Sequence, residues 1–292
     1  MSTGTESYER IPYTTRQAFW NVIEGPWIVH LVLILAAVSV MAPITWEFIT
    51  SLQTAESVFQ SNYLPPSPTL NAYNEVLFRV GFAKAILNSV IISTTTTVLV
   101  MALSIPAGYA FSRFRFPFDN TIFILVIFSR LFPPIGIIIP YFQGISALGL
   151  LDTIPGIIIA QVYLWLPLMI YIMRNFFISI PEALDESARV DGCTKFQAFY
   201  RVVLPLSAPG VAAVGILTFL YSWREFLFSF MASSTLASRP ISVAVFGFMG
   251  EVNISWEQLA AGNILAILPT ILVVLFFQRY IVSGLTSGAM KE

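Results

Sequence analysis

One cysteine, Cys193, and one histidine, His30, are all that the 292 residues contain of either type. An intrachain disulfide is therefore impossible, and cysteine pairs of the kind that hold zinc are excluded. An integral-membrane enzyme would need a nucleophile and base or a metal cluster, and these two residues leave almost nothing to build one. His30 lies inside an apolar run, where it reads as a membrane-interface residue rather than a catalytic base. Charge is scarce too: 11% of residues carry it, against about a quarter in soluble domains. With a net charge of −1 and no basic stripe, nucleic acid is excluded as a partner. A G-x-x-x-x-G-K-[ST] phosphate loop is missing, so the chain is not itself an ATPase of that kind. Residues 1–25 are polar and of mixed charge, without the basic region, short apolar core and cleavage site of a secretory signal.

What the chain has in excess is apolar surface. It is 57% hydrophobic with 25 Phe, and its mean hydropathy is +0.78. Runs of about 20 apolar residues cross a membrane as helices. Six such segments are expected, at Pro26–Ile49, Ala85–Phe111, Asn120–Tyr141, Thr153–Met173, Leu204–Phe230 and Asn263–Ile281. The fold class is thus all-α and polytopic, with a tail at 1–25 and one transmembrane domain over 26–292. Pro106, Pro167 and Pro269 fall inside spans, which bundled membrane helices tolerate. Pro133-Pro134 followed by Gly136 predicts a break or kink in the third span. Ala102, Ser104, Ala107 and Gly108 suit close helix packing.

Lys and Arg placement sets the orientation. With the N-terminus inside, the cytoplasmic segments hold Arg10, Arg16, Arg113, Arg115, Arg174, Arg189, Lys195, Arg201, Arg279 and Lys291. The outer segments hold Arg79, Lys84 and Arg239. Both termini are expected in the cytoplasm, and two sizeable loops, Thr50–Lys84 and Met231–Gly262, outside.

One stretch breaks the apolar pattern. EALDESARVDGCTKFQAFYRVVLPL, Glu182–Leu206, crowds Glu182, Asp185, Glu186, Arg189, Asp191, Lys195 and Arg201 between spans four and five. Ser179 with Glu182, and Thr194 with Gln197, have the spacing of capping boxes. Gly192 suits the left-handed residue that ends a helix. Two short helices joined at Asp191-Gly192-Cys193 are predicted, the second with Phe196, Phe199 and Val203 on one face. A solvated loop is the plain alternative, but two consecutive capped helices point to a docking element.

Charges inside spans are costly and mark candidate sites. Arg130 lies in the third span, and Arg224-Glu225 in the outer half of the fifth. One reading is an ion pair of Glu225 with either arginine that holds the bundle. The other is a cation lining the path of a polar or anionic cargo. Tyr109, Phe132, Tyr163, Trp165, Tyr221 and Trp223 could stack on sugar rings, though aromatics at these depths also serve as packing or interface belt. Arg130, Tyr163, Trp223, Arg224 and Glu225 are the candidate substrate-path residues.

Glu186-Ser187-Ala188, three residues to Gly192, nine residues to Val202, then Leu204-Pro205 resemble the EAA motif of ABC importer permeases. Ser187 stands for the first Ala and Val202 for Ile, both mild departures. QRYIVSGLTSGAMK, DNTIFILVIFSRLFPPIGIIIPYF and SWREFLFS resemble the sugar-importer branch, similar to MalG-type permeases, over essentially the whole chain after the tail. This resemblance implies the type I importer permease fold, with coupling helices at about 182–203. It implies a second, MalF-type permease, two ATP-binding-cassette subunits that carry ATP and Mg, and an external solute-binding protein or lipoprotein. No cofactor is expected on this chain. Glu186, Ser187, Ala188, Asp191, Gly192, Phe196, Leu204 and Pro205 become the ATPase-coupling residues, Glu186 pairing with a basic group of the ATPase. The tail from about Ser283 to Lys291 would reach between the ATPases, and Met231–Gly262 would probe the binding protein. Related sugar permeases usually carry an uncharged residue, often Asn, where Arg224 stands. The function implied is import of a mono-, di- or oligosaccharide by alternating access. The alternatives are an anionic polyol phosphate such as glycerol 3-phosphate, or a secondary carrier or channel, which would have no use for a docking insert.

Overall fold

In the computed structural model, residues 26–60, 64–248 and 255–286 are described, with side chains for 27–60, 64–248 and 255–278 of these. The tail at 1–25 and Lys291 lie outside the described residues. Every regular element among the described residues is helical. The first is α1, Pro26–Ser51, followed by α2, Phe82–Arg113, after a connection that holds a short helical stretch over Asn71–Asn74 and Glu75–Arg79. Next come α3, Asp119–Phe128, prolonged by a tight turn over Ser129–Leu131, and α4, Pro134–Ala147. Then follow α5, Ile154–Ser179, the insert helix α6, Ala183–Val190, and α7, Lys195–Leu206, which carries a wide π-type turn over Phe199–Val203. The last are α8, Ala208–Trp223, α9, Leu227–Ala232, α10, Ile241–Gly247, and α11, Trp256–Thr286.

Four of these helices, α1, α2, α5 and α11, are long and apolar enough to cross a membrane unbroken. Two bent pairs pass the same test only when taken together, with bends of 96° between α3 and α4 and of 74° between α7 and α8. The first bend falls at Pro133-Pro134, as their geometry dictates: Pro133 is held extended and cannot continue the helix. The second bend corrects the expected fifth span. It does not run from Leu204 to Phe230; it begins at Ala208, after a break at Ser207, and ends at Trp223. Pro205 and Pro209 flank that break, and the buried Ser207 hydroxyl donates back to the Val203 carbonyl at 2.6 Å. By contrast Pro106, Pro167 and Pro269 sit within continuous helices.

The centre is α5 packed along α2, with α8 against both and α11 and α1 beyond it. Small residues make that possible, but only on one side of α2. Ser104 and Gly108, one turn apart, are buried, whereas Ala102 faces outward. At Gly108 a methyl group would meet Met173 Cβ at 2.7 Å and the Arg174 backbone nitrogen at 2.9 Å. A polar tie crosses the same centre: Gln161 of α5 accepts hydrogen bonds from Thr96 of α2 at 3.4 Å and from Ser222 of α8. Buried polar groups so satisfied fix how helices sit against one another.

Candidate functional site

Two sites emerge, at opposite depths. The first is the insert. Its leading capping box does not form, because α5 continues through Ser179, whose hydroxyl donates to the Phe176 carbonyl. Glu182 precedes α6 in helical conformation and makes no side-chain cap. The trailing box does form: the Gln197 N–H donates to Thr194 Oγ1 at 3.2 Å, and the Thr194 N–H donates to Gln197 Oε1 at 2.9 Å. Between them Gly192 takes φ = +89°, the left-handed turn that suits glycine.

The insert is clamped to α2 by residues that local sequence patterns do not connect. Arg113, its side chain 7% exposed, donates through Nε to Asp185 Oδ2 at 2.8 Å and through Nη2 to the Ile180 carbonyl at 2.7 Å. Tyr109 donates its hydroxyl to the other Asp185 oxygen at 3.0 Å. Phe199 and Val203 are buried beside Tyr109 and Phe177, with the Phe199 and Tyr109 rings 4.4 Å apart. Phe196 does not share that face. It is 72% exposed and stacks on Tyr200.

The expected coupling residues therefore divide. Ala188 is buried and Leu204 half-buried, so both anchor the insert. Glu186, Ser187, Asp191, Gly192, Phe196 and Pro205 are exposed. Ser187 donates to the Ala183 carbonyl at 2.8 Å, and Asp191 closes α6. Glu186 borders a depression of about 170 Å³ shared with Arg113, Asp185, Arg189 and Lys195. The insert is thus rigidly based, and its tip exposes charged groups together with Val190 and Phe196. The C-terminal part of the expected coupling segment, 287–291, lies outside the described residues.

The second site is a cavity of about 380 Å³ between the break in span three and the C-terminal end of α8. Arg130 and Phe132, from the break in span three, line it with Tyr163 and Trp165 of α5 and Tyr221, Arg224 and Glu225 at the end of α8. Four of the five expected substrate-path residues meet here. Trp223 does not: it is buried on the far side of α8, stacked on Phe219 and donating Nε1 to the Ala266 carbonyl at 3.0 Å. Its neighbour Tyr221 takes the place expected of it.

Neither arginine forms the expected ion pair with Glu225. Instead Glu225, buried, accepts from the Phe228 N–H at 2.8 Å, the Ser229 N–H at 3.0 Å and the Ser229 hydroxyl at 2.6 Å, which caps the start of α9. Arg130 donates to the Leu164 carbonyl at 3.0 Å and lies over Trp165. Trp165 stacks on Tyr221 at 4.8 Å, and Arg224 lies 4.8 Å over that ring. The aromatic pair is bracketed by two cations.

Below α9, the segment 233–240 is tied down. Asp152 accepts from the Ser234 and Thr235 N–H groups, each at 3.0 Å, and from the Thr235 and Ser238 hydroxyls. Burial alone would raise its pKa, but these hydrogen bonds outweigh it and hold the carboxyl well below the usual range. Asn88 adds donors to the Leu236 and Arg239 carbonyls. Of the expected outer loop Met231–Gly262, residues 249–254 lie outside the described residues.

A polytopic helical bundle with a cavity beside a broken span and a clamped polar insert is the architecture of a membrane transport subunit. The chain belongs to the family of binding-protein-dependent transport system inner membrane components, which matches residues 101–287. It is 34% identical to the trehalose transport system permease protein SugB of Mycobacterium tuberculosis, over 94% of this chain and 98% of that one. It is 34% identical to the sulfoquinovosyl glycerol transport system permease protein SmoH of Agrobacterium fabrum, over 85% and 88%. The trehalose/maltose transport system permease protein MalG of Thermococcus litoralis is 32% identical, over 88% and 94%. The fold matches a bacterial ABC transporter chain involved in import of the acidic polysaccharide alginate, with TM-score 0.78, 24% identity and coverage of 92% and 98%. The chain is therefore a permease subunit and not an enzyme.

Proposed function

We propose that this chain is one of two permease subunits of an ATP-driven importer, moving a saccharide across the cell membrane by alternating access. The observation that carries the reading is the insert, whose base is locked to α2 through Arg113 and Asp185 while its tip leaves Glu186 and Phe196 exposed. Such an element transmits force. ATP closes two partner ATPases, the docked tip moves with them, and the clamp passes the displacement to α2 and, through α2, to α5. The excess of Arg and Lys at the insert end, Arg113, Arg115, Arg174, Arg189, Lys195 and Arg201, supports a cytoplasmic insert and cytoplasmic termini. Cargo would then arrive from an external binding protein at the opposite end. The names of the relatives support a saccharide or glycoside as its class.

Glu186→Arg tests the coupling role. In proteoliposomes holding the full complex, uptake should fall sharply while the membrane subunits still assemble. Normal uptake together with normal binding-protein-stimulated ATP hydrolysis would refute the docking role of Glu186.

A further inference from the structure

We infer that the cavity between the break in span three and the end of α8 receives an anionic group of the cargo, a carboxylate, sulfonate or phosphate on a saccharide, between Arg130 and Arg224. The inference rests on the saccharide-importer reading and narrows its substrate class.

An arginine within an apolar span is costly, and two in one cavity call for a counter-charge. The lining holds a single carboxylate, Glu225, and all three hydrogen bonds it accepts come from the start of α9. Among the described residues, neither Arg130 nor Arg224 forms an ion pair. The Arg224 guanidinium has no hydrogen bond to any described group, and Arg130 spends one N–H on the Leu164 carbonyl. The buried Trp165 indole N–H has no partner either. The cavity thus carries an excess of cationic donors, the two guanidinium groups, over free carboxylates. A neutral sugar hydroxyl both donates and accepts, so it leaves the excess unmatched, whereas an oxyanion only accepts. Trp165 and Tyr221 cover one another and are flanked by the guanidinium groups, which leaves Phe132 and Tyr163 as the exposed rings of the lining.

Depth agrees. From Asp119 to Arg130, and from Ala208 to Trp223, the helices rise about 17 to 24 Å at 1.5 Å per residue. Measured from the cytoplasmic ends, Arg130 stands near mid-depth beside the break in span three, and Arg224 in the outer part of a core about 30 Å thick.

The test uses the assembled importer without its binding protein, in phosphatidylcholine nanodiscs, and equilibrium dialysis with radiolabelled digalacturonate, glucose 6-phosphate and trehalose. At least one anionic probe should bind about tenfold more tightly than trehalose. That preference should vanish in Arg130→Gln/Arg224→Gln and persist in part in Arg224→Lys. Trehalose binding as well as both anions would overturn the inference and leave saccharide import standing. If no saccharide, charged or neutral, binds or is taken up with the binding protein present, the importer reading falls as well. Loss of subunit co-elution in the double glutamine variant, with assembly restored by Arg224→Lys, would assign the cations to a partner subunit and overturn it. Loss of probe binding in phosphatidylglycerol nanodiscs would assign the cavity to a lipid headgroup and overturn it too.

Discussion

Removing the Asp185 carboxylate should loosen the insert without unfolding the bundle. In Asp185→Ala, Arg113 loses its 2.8 Å partner and keeps only the Ile180 carbonyl and a 3.7 Å approach to Glu182. Tyr109 loses its acceptor as well. Breaking one side of a buried pair costs about 3–5 kcal/mol, and with Asp185 15% exposed the low end applies, about 3 kcal/mol. At about 1.4 kcal/mol per decade, the docked state of α6 weakens on the order of 100-fold. Amide hydrogen exchange in α6 reads this directly, since local opening is what it reports. The α6 amides should exchange on the order of 100-fold faster, while the Gln161 region of α5 stays protected. Arg113→Met/Asp185→Ala should recover much of the loss, because no orphaned charge remains. Unchanged α6 exchange in Asp185→Ala, or a double variant worse than the sum of the singles, would refute the clamp.

Three further outcomes follow from the same structure. Gly108→Ala forces α2 and α5 apart and should destabilise the bundle by about 1–3 kcal/mol, read as a lower Tm; an unchanged Tm would contradict the close approach. Thr194→Ala should cost about 1 kcal/mol in insert stability, and Ser179→Ala should stay within about 0.5 kcal/mol, since only the trailing capping box forms. Asp152 binds its proton less readily folded than unfolded, so its anchoring is complete at neutral pH. It weakens only as pH falls below the ordinary carboxylate value of about 4 toward the lower folded one, whereas Asp152→Asn weakens it at every pH. Protease access to 233–240 would show this, and a loosening centred near pH 7 would contradict it.

The insert was legible because its signals are local: Thr194 and Gln197 are three residues apart, and Gly192 marks its own turn. The Ser179 box misled because Ser179 could extend α5 as readily as cap α6, and the continuing helix won. Spans were legible from hydropathy, but the 74° bend at Ser207 was not, since nothing in hydropathy separates a bent pair from a straight helix. Glu225 illustrates the wider limit. Its neighbour Arg224 suggested an ion pair, yet the nearest donors were the backbone groups of α9, a short separate helix at the outer end of the expected fifth span. Trp223 and Tyr221 differ by two positions on one helix and so face opposite sides, a distinction that depth alone does not make. The Arg113–Asp185 contact joins segments 72 residues apart and left no pattern to read.

The coupling role of the insert can be tested with the chain's own chemistry. Cys193, the sole cysteine, sits half-exposed in the turn beside Gly192, so a maleimide–benzophenone reagent placed there samples whatever contacts the tip. In membranes holding the complete importer, photolysis should join this chain to an ATPase subunit, in a yield that changes when ATP is trapped. Uptake-competent complexes that give only adducts with lipid or with the other permease would contradict the account.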